Sequence, residues 1–343
     1  MAVQVLTRRF ALFAGKRLLF TVPQLFAVSV IVFFMIRLLP GDPSYMLAGP
    51  YASPDRIREV RSTLGLDQPI TSQYVRYVER IAHGDFGTSW RTSQPVLNDI
   101  RQRLPATLEL VVGAVLLSVV IGIPLGVAVA TSRGGVLERG VFFYGMLAGS
   151  LPDFWIGLLL ILIFFYLLGW APAPVGQLDF AVSSPDHITG AYVVDALLTG
   201  NGPAFWSACG QLVLPLATLV LVYMPLVLKT ARSTMEEMLL SGFVVQARAS
   251  GLSRWMQLRY ALGNALPPVI TVVGIEFWFL LGGAVLVETI FAWGGLGQYA
   301  VESVINSDYA PIQAVVLITA AFTTLVFLVV DILYYLLDPR ISV

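Results

Sequence analysis

Apolar residues along this chain gather into six long runs, 18–39, 110–130, 141–168, 212–228, 266–287 and 312–337, separated by polar stretches of very unequal length. A helix needs about 20 apolar residues to cross the hydrocarbon core of a bilayer, so each run predicts a membrane-spanning helix. The fourth run is the shortest, and 204–206 just ahead of it can extend it. Pro23, Pro124, Pro152, Pro215 and Pro225 fall inside the runs. Membrane helices accept such prolines where neighbours re-satisfy the freed carbonyls. Gly122-x-x-x-Gly126 and Gly145-x-x-x-Gly149 offer flat faces for close helix packing. The pattern predicts an all-α integral membrane protein with six transmembrane helices.

Two polar stretches are too long to be mere connectors. Residues 40–104 read as a small folded helical segment. Ser53-Pro54-Asp55 is a helix start, Gly65 a stop, and Ile70, Tyr74, Tyr77 and Ile81 at 3–4-residue spacing predict a helix over 70–82. A further helix over 96–103 feeds the second span through Leu104-Pro105. Between them, Asp85-Phe-Gly87 matches a kinase metal-binding triplet, but no Gly-rich phosphate loop accompanies it, so it reads as a tight turn. The second stretch, 229–265, is rich in Ala and Gly, basic, and helical in pattern rather than tether-like. A structured, basic, small-residue helix beside a membrane points to a docking surface for another protein. The chain thus reads in three parts: 1–39, an N-terminus and first span; 40–104, the helical segment; and 105–343, five spans with a docking helix near 243–254.

Composition agrees. The chain of 343 residues is 57% hydrophobic and 12% charged, against about 25% charge in soluble domains. Its net charge is zero, which removes a global basic field for nucleic acid. A single cysteine, Cys209, excludes an internal disulfide, and His83 and His187 stand far apart in polar loops, so no metal site is expected. Lys and Arg set the orientation. Arg8, Arg9, Lys16 and Arg17 mark the N-terminus, Arg133 and Arg139 the loop after the second span, Lys229, Arg232, Arg248, Arg254 and Arg259 the long connector, and Arg340 the tail. Loops 169–211 and 288–311 hold neither Lys nor Arg, and carry Asp179, Asp186, Asp195, Glu288, Glu302 and Asp308 instead. Both termini are therefore expected in the cytoplasm. Segment 40–104 has eight Arg against seven acids, and long segments cross largely regardless of charge. The first apolar run lacks a small-x-small cleavage site and is too long for a signal peptide, so it reads as a retained span.

Catalytic chemistry is not visible. The two lysines, Lys16 and Lys229, stand outside any phosphate-loop pattern, and no zinc-protease or nucleophile-elbow motif occurs. Gly295-x-Gly297-x-x-Ala300 follows a span rather than a strand, so it is no dinucleotide site. Ionisable groups inside spans are functional candidates because burying them in hydrocarbon is costly. Glu276, midway along the fifth run, is expected to face a polar cavity. Asp153, after Pro152, is expected to cap a helix break, and Asp331 lies close enough to a span end to reach headgroups.

Several segments together resemble the permease subunits of ABC importers for dipeptides and oligopeptides, in their B-type form. Arg37-Leu-Leu-Pro-Gly-Asp-Pro43 is similar to the end of the family's first span, and Leu64-Gly-Leu-Asp-Gln-Pro69 and Gly84-Asp-Phe-Gly-Thr-Ser89 to its outer-loop signatures. Arg103-Leu-Pro-Ala-Thr-Leu-Glu-Leu110 resembles the start of its second span. Ala247-Arg-Ala-Ser-Gly-Leu-Ser253 with Ala261-Leu-Gly-Asn-Ala-Leu-Pro267 resembles its ATPase-docking motif, and Val287-Glu-Thr-Ile-Phe-Ala-Trp-Gly-Gly-Leu-Gly297 and Leu337-Asp-Pro-Arg340 resemble further family segments. Departures are Val245-Gln246-Ala247 for Glu-Ala-Ala, Asn264 for a Pro, and Gly294 where the family has Pro.

The resemblance implies the type I ABC importer fold in a bacterial inner membrane. It implies a second, homologous permease, two cytoplasmic ATPases that hold the ATP and Mg, and an extracytoplasmic binding protein. The chain itself then needs no cofactor and is not an enzyme. Ala247, Arg248, Ala249, Ser250, Gly251, Leu252 and Arg254 become ATPase-coupling residues, with the small side chains allowing close approach and Arg248 and Arg254 facing acidic partners. Glu276 and Asp153 become candidates for the translocation pathway. Peptides are the expected substrate, with glutathione, nickel complexes or oligosaccharides as alternatives within the family. The rival from another class is a proton-coupled secondary transporter with Glu276 as carrier, although no inverted repeat of interrupted spans is visible.

Overall fold

The computed structural model describes residues 2–38, 43–49, 51–63, 65–132 and 134–337. The side chains of Arg8, Arg9, Lys16 and Arg17, residues 39–42 and 338–343 of two motifs above, Leu64 and Arg133 lie outside the described residues. Among the described residues all regular structure is helical, apart from one bridge between Thr88 and Pro95. Among the described residues five helices are long and apolar enough to cross a membrane, six if one bent pair counts as a single span. The chain divides into two compact units, 1–104 with 298–325, and 105–297 with 326–343.

The first unit holds α1 (Ala2–Leu38), α2 (Pro43–Ala48), α3 (Pro54–Thr63), α4 (Ile70–Ala82), the start of α5 (Val96–Leu117), α13 (Leu296–Ile305) from Gln298 on, and the first part of α14 (Tyr309–Leu337). Helix α4 forms where its apolar spacing predicts. Tyr74 and Tyr77 seat their rings 5.1 and 5.3 Å from that of Phe33 on α1, and Ser29 shares a 2.8 Å hydrogen bond with the Tyr74 hydroxyl. The Asp85 triplet is a tight turn. Its carboxylate accepts from the Gly87 N–H (2.9 Å) and from Arg80 Nε (2.8 Å). Beyond it, Ser89 donates to Asp308 at 2.5 Å, Arg91 pairs with Glu302, and Asp99 accepts from the hydroxyls of Thr92 and Tyr299. Helix α2 was not foreseen. Helix α5 also runs through Pro105 without the joint expected at 104–105. Pro105 leaves the carbonyl of Arg101 without its helix donor, and Arg101 is exposed.

The second unit is built on two long helices, α10 (Gly202–Leu240) and α12 (Arg254–Ile290). The rest of α5 continues through a π-helical turn, Ser118–Gly122, into α6 (Ile123–Thr131). The π-turn immediately precedes Pro124, which has no N–H to offer the Val120 carbonyl. A buried core of Leu110, Val111, Leu214, Leu219, Met224, Phe277, Leu280, Phe291 and Trp293 joins these helices. The two small-residue pairs behave differently. A Cβ at Gly126 would lie 2.8 Å from the Leu228 carbonyl oxygen and 2.9 Å from Ala231 Cβ, so α6 touches the α10 backbone there. Gly145 has no neighbour within 4 Å of such a Cβ, so the second pair is not a packing face among the described residues.

The third apolar run is not one straight helix. Helix α7 (Val136–Ala148) and α8 (Asp153–Leu160, continuing as a π-helix to Leu167) meet at 109° around 149–152. Pro152 causes the break, because the residue before proline is driven out of the helical region. Loop 169–211 is shorter than its apolar pattern implies, since it contains α9 (Tyr192–Leu198) and α10 begins at Gly202. Of the acids in the Lys/Arg-free loops, three are buried: Asp195, Glu288 and Asp308. Each sits among hydrogen-bond donors, which is how a buried carboxylate is tolerated. Asp195 takes the Thr189 hydroxyl and the backbone N–H groups of Ile188, Thr189 and Gly190. Burial opposes its ionisation, but these donors outweigh burial and hold its carboxyl below the ordinary range.

Candidate functional site

The docking segment is helical over a shorter stretch than 243–254. Helix α11 spans Gly242–Ala249, and Ser250 to Ser253 form a turn into α12, which Ser253 caps by accepting from the Met256 N–H. Of the seven expected coupling residues, Ala247, Arg248 and Ala249 lie on α11, Ser250, Gly251 and Leu252 in the turn, and Arg254 opens α12. Gly251 has φ +74° and open space where a Cβ would stand. Its glycine is therefore required by the left-handed turn, a reason the sequence reading replaced with room for a partner.

Little holds α11 in place. Val244 is its one buried residue, seated among Ala130, Met235 and Ala261. Gln257 adds a 2.8 Å bond to the Leu252 carbonyl. The outward side combines exposed Phe243, Val245 and Trp255 with exposed Arg248 and Arg254. Among the described residues neither arginine has a carboxylate partner, and Arg248 makes only a 3.5 Å contact with Gln257. Large apolar side chains beside unpaired cations form a surface built to be covered.

The two intramembrane carboxyls stand in different settings. Asp153 is half-buried in the first turn of α8, where one oxygen accepts from the Phe154 N–H at 2.7 Å. It is not the expected cap: the N-cap position is Pro152, no side chain caps the helix, and of the helix amides Asp153 bonds only the next N–H. Its other oxygen accepts from the Tyr223 hydroxyl of α10 at 3.0 Å. Gly283 of α12 closes this group, since a Cβ there would fall 2.2 Å from the Tyr223 hydroxyl and 2.8 Å from Asp153 Oδ2. Nearby on α7, Tyr144 donates at 2.8 Å to the Leu221 carbonyl, the one Pro225 frees four residues on. Glu276 is fully buried, and neither oxygen has a hydrogen-bond partner among the described residues. The Ser118 hydroxyl of the π-turn is likewise buried and unpartnered.

Sequence reasoning missed a third cluster. The Thr107 hydroxyl donates to Glu288 Oε1 at 2.6 Å and accepts from the Leu296 N–H at 2.8 Å. A Cβ on Gly295 would lie 2.5 Å from each of these oxygens, and one on Gly297 2.6 Å from Val285 Cα. Trp293, buried, donates from Nε1 to the Ala106 carbonyl at 3.0 Å and receives Gln177 on its own carbonyl. Two of the family-like motifs, 103–110 and 287–297, therefore form one buried knot. The signal was present in the sequence as an acid beside a Gly-rich turn and a distant threonine, but nothing there showed that they meet. Gly294 has φ +79°, which proline cannot adopt, so the loop at the departure from the family pattern has its own geometry.

A family model described as binding-protein-dependent transport system inner membrane component matches residues 122–343, and its N-terminal companion matches 10–111. The chain belongs to this family. The chain is 45% identical to the probable D,D-dipeptide transport system permease protein DdpB of Escherichia coli, over 92% of this chain and 93% of that protein. It is 37% identical to the dipeptide transport system permease protein DppB of Alkalihalophilus pseudofirmus, over 96% and 99%. The glutathione transport system permease protein GsiC of Salmonella paratyphi A is 37% identical, over 95% and 97%. Family and fold together make the chain an inner-membrane permease subunit of a binding-protein-dependent ABC importer, with the type I importer fold.

Proposed function

We propose that the chain forms half of the translocation pathway for small peptides, beside a second, homologous permease. An extracytoplasmic binding protein delivers the peptide, and two cytoplasmic ATPases, carrying ATP and Mg, drive the cycle through α11. The observation that carries this reading is the weakly anchored, partly apolar, uncompensated basic face of α11 and the start of α12. The Lys/Arg distribution supports a cytoplasmic position for that face and for both termini. Peptide is favoured as substrate because the relatives above include two dipeptide permeases, one of them the 45% match.

Within the membrane, Asp153 fits the pathway better than Glu276. It is half-exposed at the broken span and bonded to one hydroxyl beside a glycine-thin helix contact, so a helix shift there changes polar groups rather than tight packing. Glu276 is sealed in this state and reaches the route only if α12 moves. Reconstituted with its partner permease, ATPases and binding protein, the transporter should take up labelled dipeptide only with ATP, and excess unlabelled dipeptide should compete while glutathione should not. Competition by glutathione alone moves the substrate. Glu276→Gln should lower uptake moderately. Uptake by the chain alone under a proton gradient, abolished by Glu276→Gln, contradicts the reading.

A further inference from the structure

The first unit contains a cavity of about 350 Å³ that the transport reading does not use. Three arginines line it, Arg37, Arg76 and Arg80, against a single carboxylate, Asp85, which pairs with Arg80 at 2.8 Å. Arg37 donates twice to Gln73 Oε1 (3.1 and 2.9 Å) and once to the Phe33 carbonyl, and lies 3.4 Å over the Phe33 ring. Arg76 reaches only the Gly65 carbonyl, at 3.5 Å. Among the described residues neither has a carboxylate partner. The Tyr77 hydroxyl, also on the lining, is buried with no hydrogen-bond partner. A buried donor left unsatisfied costs about 1–3 kcal/mol, so a cavity that pairs it with two uncompensated guanidinium groups is organised for an anion.

Its position selects the kind of anion. Arg37 stands in the last turn of the span Leu19–Leu38, and Ala310, Gln313 and Ala314, also on the lining, stand in the first turns of the span Tyr309–Leu333. The cavity therefore lies where two spans meet the membrane boundary. In the same unit Tyr74 packs against Tyr77 and Trp90 against Tyr309, and such aromatic residues are enriched at that depth. Exposed Phe34, Met35 and Leu38 on α1 give acyl chains an apolar track beside it. The volume falls within the range of small-molecule pockets, roughly 300–1,000 Å³, and exceeds what a lone phosphate fills.

We propose that this cavity binds the headgroup of an anionic phospholipid, with Arg37 and Arg76 on the phosphodiester and the Tyr77 hydroxyl and Gln73 on the polyol. The test uses the full-length chain in its assembled transporter, extracted from membranes of mixed phosphatidylglycerol and phosphatidylcholine, with retained lipid quantified by mass spectrometry after delipidation. The wild type should retain phosphatidylglycerol in preference to phosphatidylcholine. Arg37→Gln with Arg76→Gln should cut that retention about tenfold or more, since charge-assisted bonds are the strong ones. Tyr77→Phe, which keeps the ring against Phe33, should cut it a few-fold. Arg56→Gln, at an exposed pair with Glu59, should leave it unchanged. If the double variant does not fold, Arg76→Gln alone and Tyr77→Phe decide. Equal retention by wild type and the single variants, or of both lipids, overturns the proposal. Full displacement by inorganic phosphate identifies a small-anion site, and displacement by the binding protein a protein-docking face. Either result overturns the lipid assignment without touching the transport reading.

Discussion

The chain carries two family motifs of opposite physical character, the Thr107–Glu288 knot and the α11 turn. In the knot every feature faces inward. Glu288 is fully buried, Thr107 uses both its donor and its acceptor, and Gly295 leaves no room for one more carbon. In α11 and the turn after it one residue is buried, Arg248 and Arg254 lack carboxylate partners among the described residues, and the space around Gly251 is empty. The difference teaches how to read a motif. Where residue types are dictated by contacts within the chain, the motif specifies the fold. Where the chain itself demands little beyond one turn glycine, the remaining demand comes from a partner. Substitutions should separate the two, with the knot losing folded protein and α11 losing only coupling.

The largest effect is expected for Gly295→Val. The first carbon alone collides with the Thr107 hydroxyl and Glu288, and overpacking of this kind costs about 1–3 kcal/mol before the lost hydrogen bonds are counted. The detergent-solubilised protein should elute as aggregate or fail to accumulate, and a monodisperse product of wild-type thermal stability would dissolve the distinction. Thr107→Val keeps the shape but removes the donor to Glu288 Oε1 and the acceptor of the Leu296 N–H, at a cost of about 1–3 kcal/mol. A clear fall in melting temperature with normal insertion is the expected readout. A smaller effect should follow pH at Asp195, outside the spans. Its folded carboxyl titrates below the ordinary aspartate value, so its contribution is complete above about pH 5 and declines as pH falls through about 4 toward the lowered value. Amide exchange at Ile188, Thr189 and Gly190 should lose protection over that window in excess of neighbouring loops. Asp195→Asn should remove the pH dependence.

Much of the fold was legible because hydrophobic runs of bilayer length leave few alternatives. Helix α4 and the turn at Asp85 were legible for local reasons, apolar spacing in one case and Gly with Asp in the other. What escaped depended on contacts distant in sequence. Glu288 and Asp308 look like ordinary loop acids until Thr107 and Ser89 are brought to them. Tyr144 gives no sign in sequence of serving the carbonyl that Pro225 frees. Pro105 looked like a joint and is not one, whereas Pro152 is one, since only the latter sits at a wide bend. At α11 the segment was visible but its length was not. The Ala-rich run continues helical in pattern past Ala249, and only the left-handed Gly251 marks its end.

The most direct measurement is uptake by the reconstituted transporter carrying Arg248→Glu, read alongside thermal stability and co-purification of the ATPases. Arg248 is exposed and bonded only weakly to Gln257, so the permease itself should melt within about 0.5 kcal/mol of wild type. The account predicts that normal folding, together with ATP-driven uptake that is lost and ATPases that co-purify poorly. Wild-type uptake with the ATPases still bound would contradict it, and α11 would then be no more than a turn between two spans.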